Sequence, residues 1–439
     1  MVSVDELRAD VERGAVDTVI AAFTDMQGRL MGKRLHAEFF LDELGAGHEI
    51  EGCNYLLALD MEMDPQPGYA MASWERGYGD FGLHPDLTTI RRVPWHEASV
   101  LVLCDIPEVP VSPRQVLKAV VDRARSAGFD AMVGSELEFF LFRETYEEAR
   151  AKHYRDLTPS VPYILDYNIL ASGYDEPFLR TVRNSMQAAG MVVEGSKGEA
   201  WPGQHEVNFR YADALRAADD HSIFKTALKA IAHQHGLSAT FMAKPDHTWV
   251  GSSCHIHSSL WRGSEPAFAG ESDVFRSYLA GQIALAADLA VFLAPNINSY
   301  KRFAAGSWAP TTLAWGYDNR TCGFRIVGHG AALRTETRIP GSDANPYLAF
   351  AALIASGLHG VEQGLPLGPA FEGNAYESDA ERFPSTLRDA IARLEASSPA
   401  RSLFGDDVVD HYLNYARVEQ RLFDEVVTCY ERERLFERG

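Results

Sequence analysis

Cysteine is scarce in this chain of 439 residues. The five present, Cys53, Cys104, Cys254, Cys322 and Cys429, are scattered, odd in number and never paired as CxxC. A disulfide scaffold is therefore excluded as the organising feature, and a reducing, cytoplasmic setting is expected. Long apolar runs are missing too: none reaches the ~18 residues that a membrane span requires. The segment Met1–Gly14 is charged and helical in pattern, without the apolar centre of a secretory leader. Basic residues are outnumbered, 41 Lys and Arg against 61 Asp and Glu, for a formal charge of −20. Such a balance excludes a nucleic-acid backbone as partner, and any local cluster of arginines must serve a particular anion. Internal repeats and low-complexity tracts are absent.

What is present is ordinary in bulk. The apolar fraction of 46% and charged fraction of 23% are those of a globular protein. The length exceeds the size over which one core keeps growing, so two domains are expected. Strand-like runs at Val16–Phe23 and Ala98–Cys104 indicate a small α+β unit at the N-terminus. Ser112 and Pro113 then form an N-cap and first-turn pair. They open an amphipathic helix through Val116, Leu117, Val120, Val121 and Ala124, which Gly128 stops. The domain boundary is set before it, giving units 1–108 and 109–439. In the second, strands at Met132–Phe142, Ser238–Met242, Cys254–Trp261 and Arg334–Arg338 alternate with helices. Those helices are expected near 176–189, 217–235, 273–293, 345–361, 384–396 and 406–435, with long loops at 143–175 and 295–333.

Three strands carry reactive side chains two residues apart: Glu136-Leu-Glu138, His255-Ile-His257 and Arg334-Thr-Glu-Thr-Arg338. Side chains at i, i+2 and i+4 share a face of a strand. Each stretch therefore aims its charges into one space, and a face of Glu, His and Arg cannot be an apolar core. The Phe-Phe-Leu-Phe142 run beside Glu138 argues against a solvated edge strand. Glu199 and Glu206 flank a Pro-Gly turn able to fold two carboxylates toward one point. Oxygen donors with one imidazole suit Mg²⁺ or Mn²⁺, and Cys254, on the face opposite His255, is not counted among them. Arg302, Arg320, Arg325, Arg334 and Arg338 crowd into 37 residues of an acidic chain. Guanidiniums beside metals are the usual arrangement for phosphoryl transfer, which implies a nucleotide triphosphate.

These motifs together resemble the glutamine synthetase family along nearly the whole chain. The matching segments are Phe23-Thr-Asp-Met-Gln-Gly-Arg-Leu-Met-Gly-Lys33, Glu136-Leu-Glu138, Pro202-Gly-Gln-His-Glu206 and Thr240-Phe-Met-Ala-Lys-Pro245. Further on come Cys254-His-Ile-His257, Asn298-Ser-Tyr-Lys-Arg302, Asn319-Arg320, Arg334-Thr-Glu-Thr-Arg338 and Asn345-Pro-Tyr347. The resemblance implies an α+β chain: an N-terminal β-grasp domain and a catalytic domain with a curved antiparallel sheet. It implies homo-oligomeric rings, commonly a dodecamer of two stacked hexamers, with each site completed by the neighbour's N-terminal domain. By position, Glu138, Glu199 and Glu206 match the ligands of one metal, and Glu136, His255 and Glu336 those of a second. Two or three Mg²⁺ or Mn²⁺ ions per site are implied, with ATP as co-substrate. Arg302 and Arg338 match the residues at the α- and γ-carboxylates of L-glutamate, and Gly251 stands in the same pocket. Arg320, Arg325 and Arg334 match phosphate contacts, and His257 and Ser259 match nucleotide contacts.

The acceptor half departs from the family pattern. Ammonia-using members carry Asp-Gly-Ser-Ser where this chain has Glu51-Gly-Cys-Asn54. They carry Gly-Tyr-Glu-Ala-Pro where it has Gly306-Ser-Trp-Ala-Pro310, so Trp308 replaces the closing acid. An indole cannot accept a proton, but it offers an apolar wall and a cation–π face to an alkylammonium. Val250 also replaces an amide, while Tyr167, near the acceptor pocket, is retained. The segments 306–310 and Trp315-Gly-Tyr-Asp-Asn-Arg320 resemble the γ-glutamylpolyamine and γ-glutamylethanolamide synthetase branch. The expected activity is ATP-dependent joining of the γ-carboxylate of glutamate to a primary organic amine, ethanolamine or a polyamine, through γ-glutamyl phosphate. The alternatives are a glutamine synthetase using ammonia and an inactive relative. Tyr376 stands in a loop resembling a regulatory adenylylation loop, but its surroundings differ and regulation there is not expected.

Overall fold

The computed structural model describes residues 1–439 and contains two β-sheets; a small hydrophobic cluster packs on the first, and a large one fills the second and reaches the first at Ala22, Leu101 and Leu103. The first sheet consists of β1 (Thr18–Thr24), β2 (Leu30–His36), β3 (Ile50–Cys53), β4 (Asp80–Pro85), β5 (Arg91–Arg92) and β6 (Ser99–Asp105). Its order is β2-β1-β6-β4-β3, with β5 also on β6, and only the β1–β6 pair is parallel. Helix α1 (Val4–Glu12) is opened by a Ser3–Glu6 capping box. Helix α2 (Ala37–Ala46) buries Phe40 and Leu41 against Val19, Ala21 and Phe23, the inward residues of β1.

Helix α3 (Pro113–Ser126) follows, with Pro113 in its first turn and Gly128 beyond its end at φ +83°. Ten strands then make the second sheet: β7 (Asp130–Phe142), β8 (Val193–Gly198), β9 (Gln204–Phe209), β10 (Ala212–Asp213), β11 (Ser238–Thr240), β12 (Cys254–Arg262), β13 (Glu265–Pro266), β14 (Trp315–Tyr317), β15 (Phe324–Val327) and β16 (Arg334–Thr337). The main path runs β14-β15-β16-β12-β7-β9-β8. Every pairing is antiparallel except β14 with β15. On the face away from the charges, Leu137, Phe139 and Leu141 of β7 are buried with Phe224 and Phe241.

The helix Pro346–Gln363 runs through this core with most of its length buried. It meets the helix Asp273–Leu285 at glycines, where a Cβ on Gly360 would fall 2.0 Å from the Ser277 carbonyl oxygen. Buried ion pairs tie the first sheet to α3 and to the helix Ala214–Gln234. Arg114 of α3 holds Asp219 at 3.0 Å and Asp86 at 2.8 Å and also pairs with Asp105, while Arg91 pairs with Asp220. Two expected helices are each divided. The 273–293 segment breaks after Leu285 and resumes over Ala290–Leu293. The 406–435 segment is interrupted by Val426 and Val427, and Thr428 starts a new capping box with Glu431. The expected loop 295–333 contains β14 and β15. No helix is long and apolar enough to cross a membrane.

Candidate active site

Strand register assembles the site. Glu136 of β7 lies opposite His255 of β12, and Glu138 lies opposite Glu206 of β9. Glu336 of β16 lies opposite both His257 of β12 and Arg325 of β15. Directly opposed residues on antiparallel strands present side chains to the same face. One face across five strands thus carries Glu206, Glu138, Glu136, His255, His257, Glu336 and Arg325. Glu199 joins from the start of the β8–β9 turn.

Two trios result, Glu138–Glu199–Glu206 and Glu136–His255–Glu336, each with candidate ligand atoms within 4.8 Å of one another. The first is buried and purely carboxylate. Burial, and then repulsion from Glu199, pushes the Glu206 carboxyl up to about 8. Burial and the two neighbouring acids also raise Glu138. Glu138 Oε2 accepts from Ser253 N–H at 2.7 Å and Gln204 Nε2–H at 3.1 Å, which offsets only part of that cost. In the second trio, burial lowers the His255 imidazole to about 4, so it is neutral and able to ligate. Its Nδ1 bonds Glu136 at 3.0 Å, and its Nε2 is buried without a partner. Buried acids that repel one another, with an uncharged imidazole, fit hard divalent cations.

The whole first trio, with Glu136 and His255 of the second, lines one cavity of 610 Å³, and Glu336 lies fully buried behind them. Arg302 reaches the cavity from a buried position, its guanidinium donating to the carbonyls of Ile339 at 2.7 Å and Arg338 at 2.8 Å. Burial brings Arg302 down to about 10, leaving it charged at neutral pH. A Cβ on Gly251 would lie 2.5 Å from Arg302 Cγ, so glycine leaves the room this arginine occupies. Arg338 and Arg325 both donate to Glu336, at 2.6 and 2.7 Å. Arg320 lines the same space without an ion pair to any acid.

His257, Ser259 and Arg334 face an adjoining cavity of 250 Å³, walled by Met132, Tyr211 and Trp261. Arg334 Nε lies 3.2 Å from His257 Nδ1. A further cavity of 600 Å³, between Arg29, Lys225 and Glu419, contains neither trio.

The remaining wall of the 610 Å³ cavity is aromatic. Trp308 and Tyr167 are 60% and 69% exposed, and both adopt left-handed backbone, at φ +64° and +63°. A bulky residue held at positive φ is strained, a feature that gathers at functional sites. Lys197, Asp166 and Asn208 also line the cavity, and the sequence reading missed them. Lys197 lies two residues before Glu199, so strand spacing could have found it. Glu51 and Asn54 do not line the cavity of their own chain. Tyr376 is half-buried and donates to the Ala309 carbonyl at 3.0 Å, bracing the Trp308 loop.

Residues 110–435 match the family model of the glutamine synthetase catalytic domain. The chain belongs to the glutamine synthetase family. It is accordingly a carbon–nitrogen ligase of the α+β fold expected, in a family that uses ATP and divalent metals. γ-Glutamylethanolamide synthetase GlnA4 of Streptomyces coelicolor is 51% identical over 444 residues, covering 99% of this chain and 96% of that protein. Glutamate–isopropylamine ligase of a Pseudomonas species is 38% identical over 424 residues, covering 93% and 92%. Among solved structures, ligand-free GmaS superposes with a TM-score of 0.86 at 28% identity over the whole of both chains.

Proposed function

We propose that the protein joins the γ-carboxylate of L-glutamate to a primary organic amine at the expense of ATP. The observation that carries this reading is the exposed Trp308 indole in the cavity that Glu138, Glu199, Glu206, Glu136 and His255 line, where an ammonia-using site requires an acid. Similarity to ligases named for ethanolamine and isopropylamine supports it.

The residues divide the work as follows. Arg302 and Arg338 receive the α- and γ-carboxylates of glutamate, with Gly251 leaving room beside Arg302. His257, Ser259 and Arg334 hold the nucleotide against Tyr211. Arg320 and Arg325 meet the transferring phosphoryl, where fixed positive charge stabilises the negative charge that develops. Glu138, Glu199 and Glu206 would hold one Mg²⁺ or Mn²⁺, and Glu136, His255 and Glu336 a second, supplying charge neutralisation at the phosphates. A γ-carboxylate oxygen attacks the terminal phosphorus and ADP leaves. The amine nitrogen then attacks the γ-carbonyl carbon, the C–O bond breaks and phosphate departs.

The acceptor enters as an ammonium and must lose a proton. Two carboxylates are available for that: Asp166 in the same chain and Glu51 of a neighbouring subunit, with Asn54 beside it. The second requires subunits assembled so that Glu51 reaches a neighbour's site, as in the stacked hexameric rings that the family resemblance implies. A cytoplasmic setting is supported by five free cysteines. Domains of 1–108 and 109–439 are supported by a hydrophobic cluster that runs from Val2 to Ile106 and takes in no later residue among its buried members.

Trp308→Glu tests the reading. Restoring the acid should move preference toward ammonium, measured as kcat/KM with ammonium against ethanolamine. An equal loss of rate with every acceptor would make Trp308 mere packing.

A further inference from the structure

The acceptor side of the cavity already contains a cation. Lys197 stands on β8 opposite Glu206, its ammonium paired with Glu199 and 4.7 Å from the centroid of the Tyr167 ring. The ring face that an incoming alkylammonium would use is therefore covered from within the chain. Of the acids lining the cavity, Glu136, Glu138, Glu199 and Glu206 belong to the trios. Asp166 alone has neither an ion pair nor a side-chain hydrogen bond. This wall thus offers one free carboxylate and one fixed ammonium.

The arrangement is held firmly. Asp166 N–H donates to the Glu199 carbonyl at 2.8 Å and Tyr167 N–H to the Gly198 carbonyl at 3.3 Å. A Cβ on Gly198 would fall 2.3 Å from Leu165 Cβ, so the two segments are in contact. Lys197 cannot retreat without leaving both Glu199 and the ring.

From this we propose that Lys197 is a specificity-determining residue. It restricts the acceptor to amines carrying one positive charge and an uncharged tail, and it turns away diamines and polyamines. The inference rests on the amine-ligase reading and narrows it. One ammonium has Asp166 to meet; a second, farther along the chain, meets Lys197. Repulsion between like charges in a partly enclosed cavity is only partly screened, and it discriminates by acting against the wrong ligand.

The test compares 3-amino-1-propanol with 1,3-diaminopropane, matched in length and differing in one charge, at saturating glutamate and ATP. The wild-type enzyme should favour the amino alcohol in kcat/KM by about tenfold at low salt, and the ratio should fall as NaCl screens the repulsion. Lys197→Gln and Lys197→Met should bring the ratio to within about threefold, and Lys197→Arg should retain the wild-type ratio. Because both acceptors are compared in the same enzyme, a uniform loss of rate from disturbing the adjoining trio cancels. Equal use of the diamine by the wild type overturns the proposal and leaves the ligase reading standing. So does a ratio unchanged in both neutral variants. If those variants fail to fold, a wild-type ratio indifferent to salt overturns it equally. Turnover with ammonium and with neither amine overturns the ligase reading and this proposal together.

Discussion

Replacing Glu206 with glutamine should make the metal-free protein more stable at pH 8 while weakening its response to magnesium. Glu206 is 2% exposed, and burial beside Glu199 raises its carboxyl from 4.5 to about 8. Below pH 4.5 the folded and unfolded chains both hold the proton, and nothing is lost. Between 4.5 and 8 the folded chain keeps a proton that the unfolded chain has released, so stability falls as pH rises. The slope is about 1.4 kcal/mol per pH unit, which gives ~3 kcal/mol at pH 7 and a plateau above 8. For a chain of this length, ~2.1 cal/mol/K per residue converts ~3 kcal/mol into a Tm change of about 3 °C. Glutamine is neutral throughout and can still accept from Asn208 Nδ2, now 2.9 Å from Glu206 Oε1. Thermal unfolding in EDTA from pH 4.5 to 8.5 should show the wild type declining relative to Glu206→Gln, with the curves meeting at the acid end. Added Mg²⁺ should raise the wild-type Tm, more so at pH 8 than at pH 6, because binding displaces protons. A wild-type Tm that does not fall relative to the variant between pH 5 and 8 would refute the reasoning. So would a variant less stable than wild type at pH 8.

Glu138→Ala and Glu336→Ala should each lower kcat/KM by at least about a hundredfold, with Tm in EDTA no lower than that of wild type by more than a few degrees. EDTA-stripped wild type should be inactive until Mg²⁺ or Mn²⁺ is restored; full activity without metal contradicts the assignment of both trios. Mixing Glu51→Ala with Arg338→Ala protein under subunit exchange should recover activity that neither has alone, since some interfaces then pair two intact half-sites. A verified monomer with undiminished activity would remove the shared site.

The trios were legible because a strand repeats every two residues. Once Glu136-Leu-Glu138 and His255-Ile-His257 were read as strands, their charged faces followed, and register supplied only which residues stand opposite. Glu199 and Glu206 were recognised as a turn pair, but β8 and β9 around them were not. The Glu194-Gly-Ser-Lys-Gly198 run has little of the β-branched and aromatic content that marks a strand. That omission hid Lys197, although its spacing from Glu199 obeys the rule used elsewhere. Asp166 was missed because a loop acid has no period, and only the contact of segment 164–168 with the β8–β9 turn brings it to the cavity. The break after Leu285 has no glycine or proline to announce it. The interruption at 425–428 does have a sign, the Thr428–Glu431 capping box, which the amphipathic pattern on either side obscured. The match of Glu51 to a neighbour's site rests on the resemblance, since within one chain it lies outside the cavity.

The central claim is that this ligase amidates glutamate with an organic amine and uses ammonia poorly. Phosphate release should be measured with ATP, glutamate and Mg²⁺ across ethanolamine, isopropylamine, a polyamine and ammonium, each over a range that yields kcat/KM. Each methylene buried along Trp308 contributes roughly 0.8 kcal/mol that ammonia cannot gain. At least one amine, and ethanolamine first among them, should therefore exceed ammonium by about tenfold or more. Ammonium turnover equal to or above that of every amine would contradict the account.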